Sequence, residues 1–339
     1  MRVTLAVHRF ATEGPGWTFL QIHQALLEAG LLERCVCVYE RGGGLDVLDG
    51  ARELVFQKSM NNMKNRGVLI SPLGRSLGLL RRARRLGIKT LLVNFSTHPI
   101  NVLERLEWIY AKTGATPITE EGLRRSLEEI RLADHHLVLS GLAKRTYVER
   151  GVPEERVHVA HLGVELGRFR HAEPPQKFTA LFVGTNAIRK GLPYLYKAWE
   201  TLGLNAELLV RATPRLSNPP KRVVEVPWVE DIAELYARAS VTVLPSLEDG
   251  FGVTVLESLA CGRPVIVSDQ TGASELIEHG IHGLVVPAEN YWALADAIRH
   301  FHDRPEEVER MGREGRRLAE RYPIRRFRER VVEIVEGLE

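Results

Sequence analysis

Residues 245–277 read PSLEDGFGVTVLESLACGRPVIVSDQTGASELI. The apolar run that enters this stretch, VTVLPS, predicts a buried strand that delivers the chain to Leu247. Gly250 and Gly252 permit a tight turn with exposed backbone amides, and the following apolar spacing predicts a helix that begins near Val253. A second apolar run, PVIVSD, predicts the next strand. This order of strand, glycine turn, helix and strand is typical of a βαβ unit with parallel strands.

The same alternation of strand and helix patterns runs along almost the whole chain. It is interrupted at GVELGRFRHAEPPQ, residues 163–176, which contains neighbouring prolines and has no clear periodicity, as expected of a linker. We therefore predict an α/β protein with two Rossmann-like βαβ domains that face a central cleft. The predicted domains are residues 1–165 and 166–323, and the C-terminal helix, residues 324–339, is expected to pack back on the first domain.

The composition is that of an ordinary globular protein. The 339 residues correspond to about two domains. There are 46 Lys and Arg against 43 Asp and Glu, for a net charge of +3, and 44% of the residues are hydrophobic. This balance excludes wholesale disorder and argues against a nucleic-acid binder.

Targeting and redox signals are weak in this sequence. No apolar stretch approaches the ~18 residues that span a bilayer, and His8 and Arg9 come before any signal-peptide core could form. Three cysteines, Cys35, Cys37 and Cys261, are too few for a disulfide framework, so we expect them to pack as small buried residues. The expected location is the cytoplasm.

Polar groups around the glycine turn suit a phosphate and a sugar together. Backbone amides at a helix N-terminus attract phosphate, with help from the helix dipole. A carboxylate accepts two hydroxyl hydrogen bonds, which suits the vicinal diol of a ribose or a hexose. Acidic side chains flank the turn at Glu248, Asp249 and Glu257. The segment fits a nucleotide-sugar site, but an acidic loop that only stabilises the helix dipole fits the pattern equally well.

A second segment, FVGTNAIRKGLPYL, places Arg189 and Lys190 in a loop between a predicted strand and a predicted helix. Pro193 suits the first turn of that helix. Two cations beside a helix N-terminus would bind a pyrophosphate and offset its charge as it departs. An isolated Arg-Lys-Gly triplet is more often a solvated turn, but the acidic segment elsewhere in the same domain favours the functional interpretation.

Together these segments resemble glycosyltransferase family 4, the retaining enzymes that use nucleotide sugars and have the GT-B fold. The family's strand–Gly–loop–Lys-Gly segment, its PS..EGFG....E signature and its G.PV....GG..E stretch are matched by residues 182–191, 245–257 and 262–275. The first half also matches, with Ala133-Asp134 before a strand, Ser140 at the head of a helix and a LGV....F exit at residues 162–169. The resemblance covers nearly all of residues 130–305, and before residue 90 it depends mainly on the fold pattern.

The resemblance implies roles for the acidic residues. Glu257 would bind the nucleotide ribose. The donor-sugar hydroxyls would be bound by Asp249 or by its neighbour Glu248, because the family usually has Glu at the position of Asp249. The rest of the implied donor-binding site is the turn itself: Gly250, Phe251, Gly252 and Val253.

The resemblance also implies roles for basic residues. The family's basic pair would be Arg189 and Lys190, with Thr185 standing where the family commonly has Arg. His98, in NFSTHP after a first-domain strand, matches a family histidine near the reacting sugar, although a lone histidine there is more often structural. The family's glycine loop in the first domain is matched weakly by Gly14 and Gly16.

The implied function is transfer of a hexose from a nucleotide-diphosphate sugar to a hydroxyl of a glycan, a glycolipid or a small molecule, with retention of the anomeric configuration. His98, Arg189, Lys190 and Asp249 would be the catalytic residues, and the acceptor would bind to the first domain. We expect no cofactor besides the co-substrate. We also expect no metal, because the sequence has no D-x-D triplet to hold one.

Three other functions remain open. A glycosidase also uses two carboxylates, but it would have little need of the two cations. A GT-B phosphorylase would share the fold. A nucleotide-sugar-binding protein without catalytic activity is kept open by the departures from the family pattern at Asp249 and Thr185.

The net charge hides a strongly basic segment. Between Glu53 and Glu104 there is no acidic residue, while the basic residues there are Lys58, Lys64, Arg66, Arg75, Arg81, Arg82, Arg84, Arg85 and Lys89. Helical spacing places Leu73, Leu77, Leu80 and Arg84 on one face. Segment 58–89 is either a solvated outer helix or a docking surface for an anionic acceptor or anionic lipid, which would give peripheral contact with the inner membrane face.

Overall fold

The computed structural model describes residues 3–7, 14–37, 67–111 and 116–338. In the first domain the strands are β1 (Val3–Val7), β2 (Leu32–Cys37), β3 (Val68–Pro72), β4 (Lys89–Val93), β5 (His135–Val138) and β6 (Val157–Val159). The helices are α1 (Gly14–Glu28), α2 (Leu77–Arg85), α3 (Pro99–Ala111), α4 (Glu120–Leu132) and α5 (Gly141–Val148). The six strands form one parallel sheet in the order β2-β1-β3-β4-β5-β6.

The second domain repeats this architecture. Its strands are β7 (Thr179–Thr185), β8 (Glu207–Thr213), β9 (Val223–Glu225), β10 (Val241–Leu244), β11 (Val265–Ser268) and β12 (Gly283–Val286). Its helices are α6 (Leu192–Leu202), α7 (Ala233–Ala237), α8 (Thr254–Ala260), α9 (Tyr291–Asp303) and α10 (Pro305–Glu320), and α11 (Ile324–Glu336) follows. The strand order is β12-β11-β10-β7-β8-β9, again all parallel.

Buried central strands explain the continuous apolar runs in the sequence. Every residue of β10 and β11 is buried, because helices cover both faces of a parallel sheet. In such a sheet the carboxyl ends of the strands lie along one edge, and the loops that leave this edge carry the binding residues. The glycine turn after β10 and the Arg-Lys loop after β7 are two such loops, and β7 and β10 are paired neighbours.

The chain passes between the domains at two adjacent points. The Val164 amide donates to the Tyr322 carbonyl at 2.9 Å, and the Ile324 amide donates to the Val164 carbonyl at 3.1 Å. A Cβ on Gly163 would lie 2.6 Å from the Ile324 Cα, so only glycine allows the two passages to approach this closely.

Helix α11 packs against α1 of the first domain. Phe327 and Val331 belong to the same buried cluster as Ile22 of α1. The Arg328 guanidinium donates to the Gln21 side-chain oxygen, with its nearer nitrogen at 2.7 Å. The last helix therefore adds apolar and polar contacts to the outer layer of the first sheet.

The architecture confirms the predicted α/β class with two parallel sheets. Strand β9 was not predicted, because it is only three residues long and Pro220 and Pro227 flank it closely. Of the four residues predicted to share one helical face, Leu77, Leu80 and Arg84 lie on α2, whereas Leu73 precedes the helix; Leu80 is buried and Arg84 is exposed.

Several sequence expectations lie partly outside the described residues. The side chains of Cys35 and Cys37 lie outside them, as do the basic residues Lys58, Lys64 and Arg66. Cys261 is a free, buried cysteine. Among the described helices, none is both long enough and apolar enough to cross a bilayer.

Candidate functional site

The glycine turn between β10 and α8 is shaped by two close approaches. Gly252 has φ +87°, and a Cβ there would lie 2.7 Å from the Thr271 side chain. A Cβ on Gly250 would lie 2.2 Å from the carbonyl oxygen of Phe95, in the loop that follows β4 of the first domain. The two glycines allow the turn to pack against its own domain on one side and against the first domain on the other.

The Arg-Lys loop between β7 and α6 is attached to the glycine turn. Gly191 has φ +78°, and a Cβ there would overlap the carbonyl oxygen of Pro245. The Leu247 amide donates to the Arg189 carbonyl at 2.8 Å. Because backbone contacts fix the two loops to each other, the positions of the Arg189 and Lys190 side chains relative to the acidic turn are fixed as well.

The cations and the carboxylates form two ion pairs, in which the carboxylates are buried and the cations are partly buried. Arg189 donates from a terminal nitrogen to Glu248 Oε2 at 3.0 Å, and Lys190 Nζ donates to Asp249 Oδ2. Glu248 is 1% exposed and Asp249 is 4% exposed. Charges this deeply buried are tolerated only when each has a close partner. The site therefore holds two positive and two negative side chains in mutual compensation.

Neighbouring charges shift the pKa values of Asp249 and Arg189 toward their ionised forms, whereas burial lowers the pKa of Lys190. Burial alone would raise the pKa of Asp249, but the Lys190 ammonium and the Arg189 guanidinium outweigh it and hold that pKa below its usual value. Burial alone would likewise lower the pKa of Arg189, but the Glu248 and Asp249 carboxylates outweigh it and raise that pKa. Near neutral pH the site thus presents charged groups.

Glu248 and Asp249 have different surroundings. Glu248 Oε1 accepts hydrogen bonds from the Thr97 amide at 2.8 Å and from the Thr97 hydroxyl at 2.9 Å, so this carboxylate joins the second domain to the first. Asp249 is held within the second domain, where Oδ1 accepts from the Phe251 amide at 3.3 Å. Thr97 had no predicted role, and only its position directly before His98 could have singled it out.

Further contacts close the first domain over the turn. The Ser140 hydroxyl, at the start of α5, donates to the Gly250 carbonyl at 2.7 Å. Arg105 of α3 donates from Nε to the Leu247 carbonyl at 3.0 Å. The peptide oxygens of the turn are thus bound by side chains from the opposite domain.

Glu275 makes another contact between the domains. Its carboxylate accepts from the Gly141 amide at 2.9 Å and the Leu142 amide at 3.1 Å, in the first turn of α5. His161 Nε2 lies 2.6 Å from the same carboxylate. Burial would raise the pKa of Glu275, but His161 and these amides outweigh it and lower that pKa. A second-domain anion therefore stabilises the N-terminus of a first-domain helix.

His98 lies in the wall that the first domain contributes to the cleft. Its ring packs edge-on against Tyr147 with 5.1 Å between ring centres, and its Nδ1 accepts from the Ile100 amide at 3.3 Å. The residue is 3% exposed. Burial, reinforced by the charge of Arg150, lowers the pKa of His98 to about 4, so the imidazole is neutral at pH 7.

Glu257 projects from α8 and is partly exposed. Its Oε2 accepts a hydrogen bond from the Tyr236 hydroxyl at 2.6 Å. No role was predicted for Tyr236, because its position looks like an ordinary core position of a short helix.

Gly14 and Gly16 lie in the first turn of α1. Phe19 of the same helix packs edge-on against Phe95 with 5.5 Å between ring centres. This contact connects α1 to the loop that carries Thr97 and His98. Val253 immediately precedes α8 and completes the predicted donor-binding turn.

The structure thus brings most predicted residues into one place between the two sheets. Arg189, Lys190, Glu248 and Asp249 contact one another, and the Thr97–His98 loop lies against them. In the part of the chain that the structure describes, no cluster of three or more His, Cys, Asp or Glu side chains could hold a metal ion.

Comparison with known proteins shows which families and structures this chain resembles. Residues 177–304, most of the second domain, match the family described as glycosyl transferases group 1. The whole chain has the GT-B fold of solved glycosyltransferases. Sucrose-phosphate synthase from Thermosynechococcus elongatus superposes with a TM-score of 0.78 at 19% identity, covering 99% of this chain and 98% of that one. Anabaena HepE, in complex with UDP-glucose, gives a TM-score of 0.76 at 14% identity, covering 99% and 100%.

Curated relatives match over shorter lengths. D-inositol 3-phosphate glycosyltransferase of Pseudarthrobacter chlorophenolicus is 27% identical over 249 residues, which are 64% of this chain and 59% of that protein. Alpha-maltose-1-phosphate synthase of Mycobacterium tuberculosis is 28% identical over 205 residues, 53% and 51%. The putative glycosyltransferase EpsD of Bacillus subtilis is 35% identical over 107 residues, 32% and 28%. The chain thus spans less than two thirds of each of these relatives.

Proposed function

We propose that the protein is a retaining glycosyltransferase that moves a sugar from a nucleotide-diphosphate sugar to a hydroxyl acceptor. The observation that carries this proposal is the pair of partly buried cations, Arg189 and Lys190, held between the domains beside two carboxylates. The family match of the second domain supports it, as does the fold shared with HepE, a protein solved with UDP-glucose.

The cations would act on the leaving group. A departing nucleoside diphosphate gains negative charge at the bridging oxygen, and preorganised cations in a site with little water stabilise that charge. In the absence of donor, Glu248 and Asp249 neutralise Arg189 and Lys190. The diphosphate would take over as the anionic partner of both cations, which frees carboxylate oxygens to accept hydroxyl groups.

We assign the donor-sugar contact to Asp249 rather than Glu248. Asp249 is attached only to its own domain by the contacts described above, whereas Glu248 is bound by two donors of Thr97. Glu257 would accept the ribose hydroxyls, since it lies on the helix that follows the same turn.

The acceptor would approach from the first domain. In a single-step transfer with retention, its hydroxyl attacks from the side on which the diphosphate leaves. A neutral His98 imidazole can form a hydrogen bond with a sugar hydroxyl without adding charge to the site. Among the acceptors that fit this scheme are a glycan, a lipid-linked sugar and a small molecule.

We propose that transfer requires neither a cofactor nor a divalent metal, because the two cations supply the positive charge beside the diphosphate. Activity in excess EDTA should equal activity with added Mg²⁺ or Mn²⁺. A metal requirement that persists at saturating donor would contradict this part of the proposal.

Thermal unfolding with UDP, GDP and ADP tests the donor class directly. A ligand that binds only the native state raises the unfolding temperature, and at 100 times its dissociation constant it adds about 2.7 kcal/mol. We expect one of the three to stabilise the protein well above the others. If none does, the nucleotide-sugar proposal is wrong.

Two related functions are separated by product analysis. A GT-B phosphorylase would use the same cations to bind inorganic phosphate, and it would break down a disaccharide only when phosphate is present. A binding protein without catalytic activity would be stabilised by a nucleoside diphosphate yet release none from any nucleotide sugar.

We also propose peripheral contact with an anionic membrane through the basic segment. In its described part, Arg84 and Arg85 are exposed on α2, while Arg81 pairs with Glu128 at 2.5 Å. Basic residues near an anionic lipid surface contribute about 1 kcal/mol each. Flotation should recover more protein with anionic than with neutral vesicles, and a R84Q/R85Q variant should reduce the difference. Equal recovery on both vesicle types at low salt would exclude this contact.

A further inference from the structure

The carboxylate of Glu257 is held by a buried tyrosine. Tyr236 is 0% exposed and lies on α7, and its hydroxyl donates to Glu257 Oε2 at 2.6 Å. A hydrogen bond to a charged acceptor is stronger and more directional than one between neutral groups. Burial and the neighbouring Glu257 charge raise the pKa of the Tyr236 phenol well above its usual value, so it stays a donor at every pH of interest.

Tyr236 is itself fixed from two sides. Its ring packs edge-on against Phe169 of the linker region, with 5.9 Å between ring centres. Its backbone carbonyl accepts from Arg263 Nε at 3.2 Å. Arg263 is also fully buried, and it donates to the carbonyls of Ala237 at 3.2 Å and Glu173 at 2.6 Å.

Arg263 is an unusual case of a buried arginine, and it fixes the segment that carries Tyr236. In the described part of the chain, the hydrogen bonds of the Arg263 guanidinium all go to backbone carbonyls, and these bonds hold the end of α7 and the linker together. The segment that carries Tyr236 is thereby fixed relative to α8, which carries Glu257.

We propose that Tyr236 is a positioning residue for ribose recognition, which holds the Glu257 carboxylate in the orientation that accepts the ribose hydroxyls. This inference depends on the proposed function, since it takes a nucleoside diphosphate as the ligand. An unrestrained glutamate side chain must lose rotamer freedom when it binds a diol, and the tyrosine removes most of that loss in advance.

The Tyr236→Phe variant tests this role by removing one hydroxyl and leaving the ring against Phe169. By calorimetry, the variant should bind the stabilising nucleoside diphosphate about tenfold more weakly than the wild type. Inorganic pyrophosphate, which has no ribose, should bind both proteins equally. The preference for the ribonucleotide over its 2′-deoxy form should also shrink in the variant.

Two further variants provide the controls. Tyr196, on α6 of the same domain, has a buried hydroxyl without a hydrogen-bond partner among the described residues, so Tyr196→Phe should leave nucleotide affinity unchanged. Glu257→Gln should weaken nucleoside diphosphate binding. Adding Tyr236→Phe to it should then have little further effect, because residues that act through one another are not additive.

The outcomes separate this inference from the proposed function. If the wild type binds no nucleoside diphosphate, both the proposed function and the positioning role of Tyr236 are wrong. If the wild type binds one and Tyr236→Phe binds it equally well, only the positioning role is wrong. Equal weakening of nucleoside diphosphate and pyrophosphate would also overturn it, because the hydroxyl would then be supporting the fold rather than the ribose site.

Discussion

The two walls of the cleft use different chemistry. The second domain contributes charged side chains in buried pairs, Arg189 with Glu248 and Lys190 with Asp249. The first domain contributes Thr97, Ser140 and a neutral His98. The charged wall holds its groups in ion pairs, whereas the hydroxyls of Thr97 and Ser140 bind across the cleft to Glu248 and to the Gly250 carbonyl.

The two walls also differ in what destabilises them: the loss of a charged partner in one and a change of pH in the other. Buried ion pairs depend on both partners, because removing one leaves the other charge without compensation. The stability that depends on a buried neutral histidine falls at acid pH, because below its usual pKa the histidine is protonated in the unfolded chain but not in the folded protein. The two walls can therefore be perturbed separately, by charge removal on one side and by acid on the other.

The largest expected effect is that of Lys190→Met on the charged wall. Loss of one preorganised cation should lower kcat/KM by about 10²–10³-fold. The free energy of unfolding should fall by about 3–5 kcal/mol, because Asp249 stays buried without its partner. Steady-state kinetics and urea unfolding measure the two effects.

The double variant K190M/D249N is the matched control for this substitution. Removing the stranded charge should restore most of the stability but not the activity, because the cation is still absent. Restored transfer activity in the double variant would show that the pair serves only the fold.

Acid should destabilise the first domain through its histidines. Burial lowers the pKa of His98 to about 4, of His136 to about 3 and of His158 to about 4. Below the usual histidine pKa of about 6.5, the unfolded chain binds these protons and the folded protein does not. The unfolding free energy should therefore fall as the pH decreases from 6.5 toward 4, by about 1.4 kcal/mol per pH unit for each of the buried His98 and His136 and by less for the half-buried, solvent-screened His158.

Urea unfolding at several pH values measures the change of the unfolding free energy with pH. His136→Phe should reduce this slope by the contribution of one proton, about 1.4 kcal/mol per pH unit. Glu129 acts in the opposite direction, since burial raises its pKa and the folded state takes up that proton first. If the unfolding free energy stays constant from pH 7 to pH 5, the buried histidines of the first domain are not held neutral in the folded protein.

Glu248→Gln changes the charge balance of the second wall while keeping its shape. With one carboxylate fewer beside the two cations, the nucleoside diphosphate should bind about five- to tenfold more tightly. Asp249→Asn provides the comparison. It should weaken binding of the nucleotide sugar relative to binding of the nucleoside diphosphate, because only the nucleotide sugar has the sugar that Asp249 would contact. Weaker binding of both ligands to Glu248→Gln would reverse the assignment and make Glu248 the sugar contact.

The sequence predicted the charged wall better than the uncharged one. Strand periodicity and the Gly-flanked loops located Arg189, Lys190 and Asp249, because charged residues beside glycines at strand ends stand out from a background of buried apolar runs. Contacts between the domains, such as Thr97 with Glu248, depend on how two sheets meet, and no local pattern records that.

Tyr236 illustrates a second limit of prediction. A buried tyrosine in a short helix has the pattern of any core residue, and only the 2.6 Å contact with Glu257 distinguishes it. Leu73 was misplaced for a related reason, since helical spacing alone does not show that α2 begins only at Leu77.

The smallest expected effect is that of Thr97→Val, which tests whether the two walls act together. Valine removes the hydroxyl that donates to Glu248 and keeps the backbone amide, so one of two donors remains. One hydrogen bond contributes about 0.5–1.5 kcal/mol, which predicts a three- to fivefold lower kcat with an unchanged KM for the donor. Thr97→Ser keeps the hydroxyl and should behave as the wild type. A change in donor KM with constant kcat would instead mean that Thr97 affects the charged wall alone, and that contact between the domains does not limit turnover.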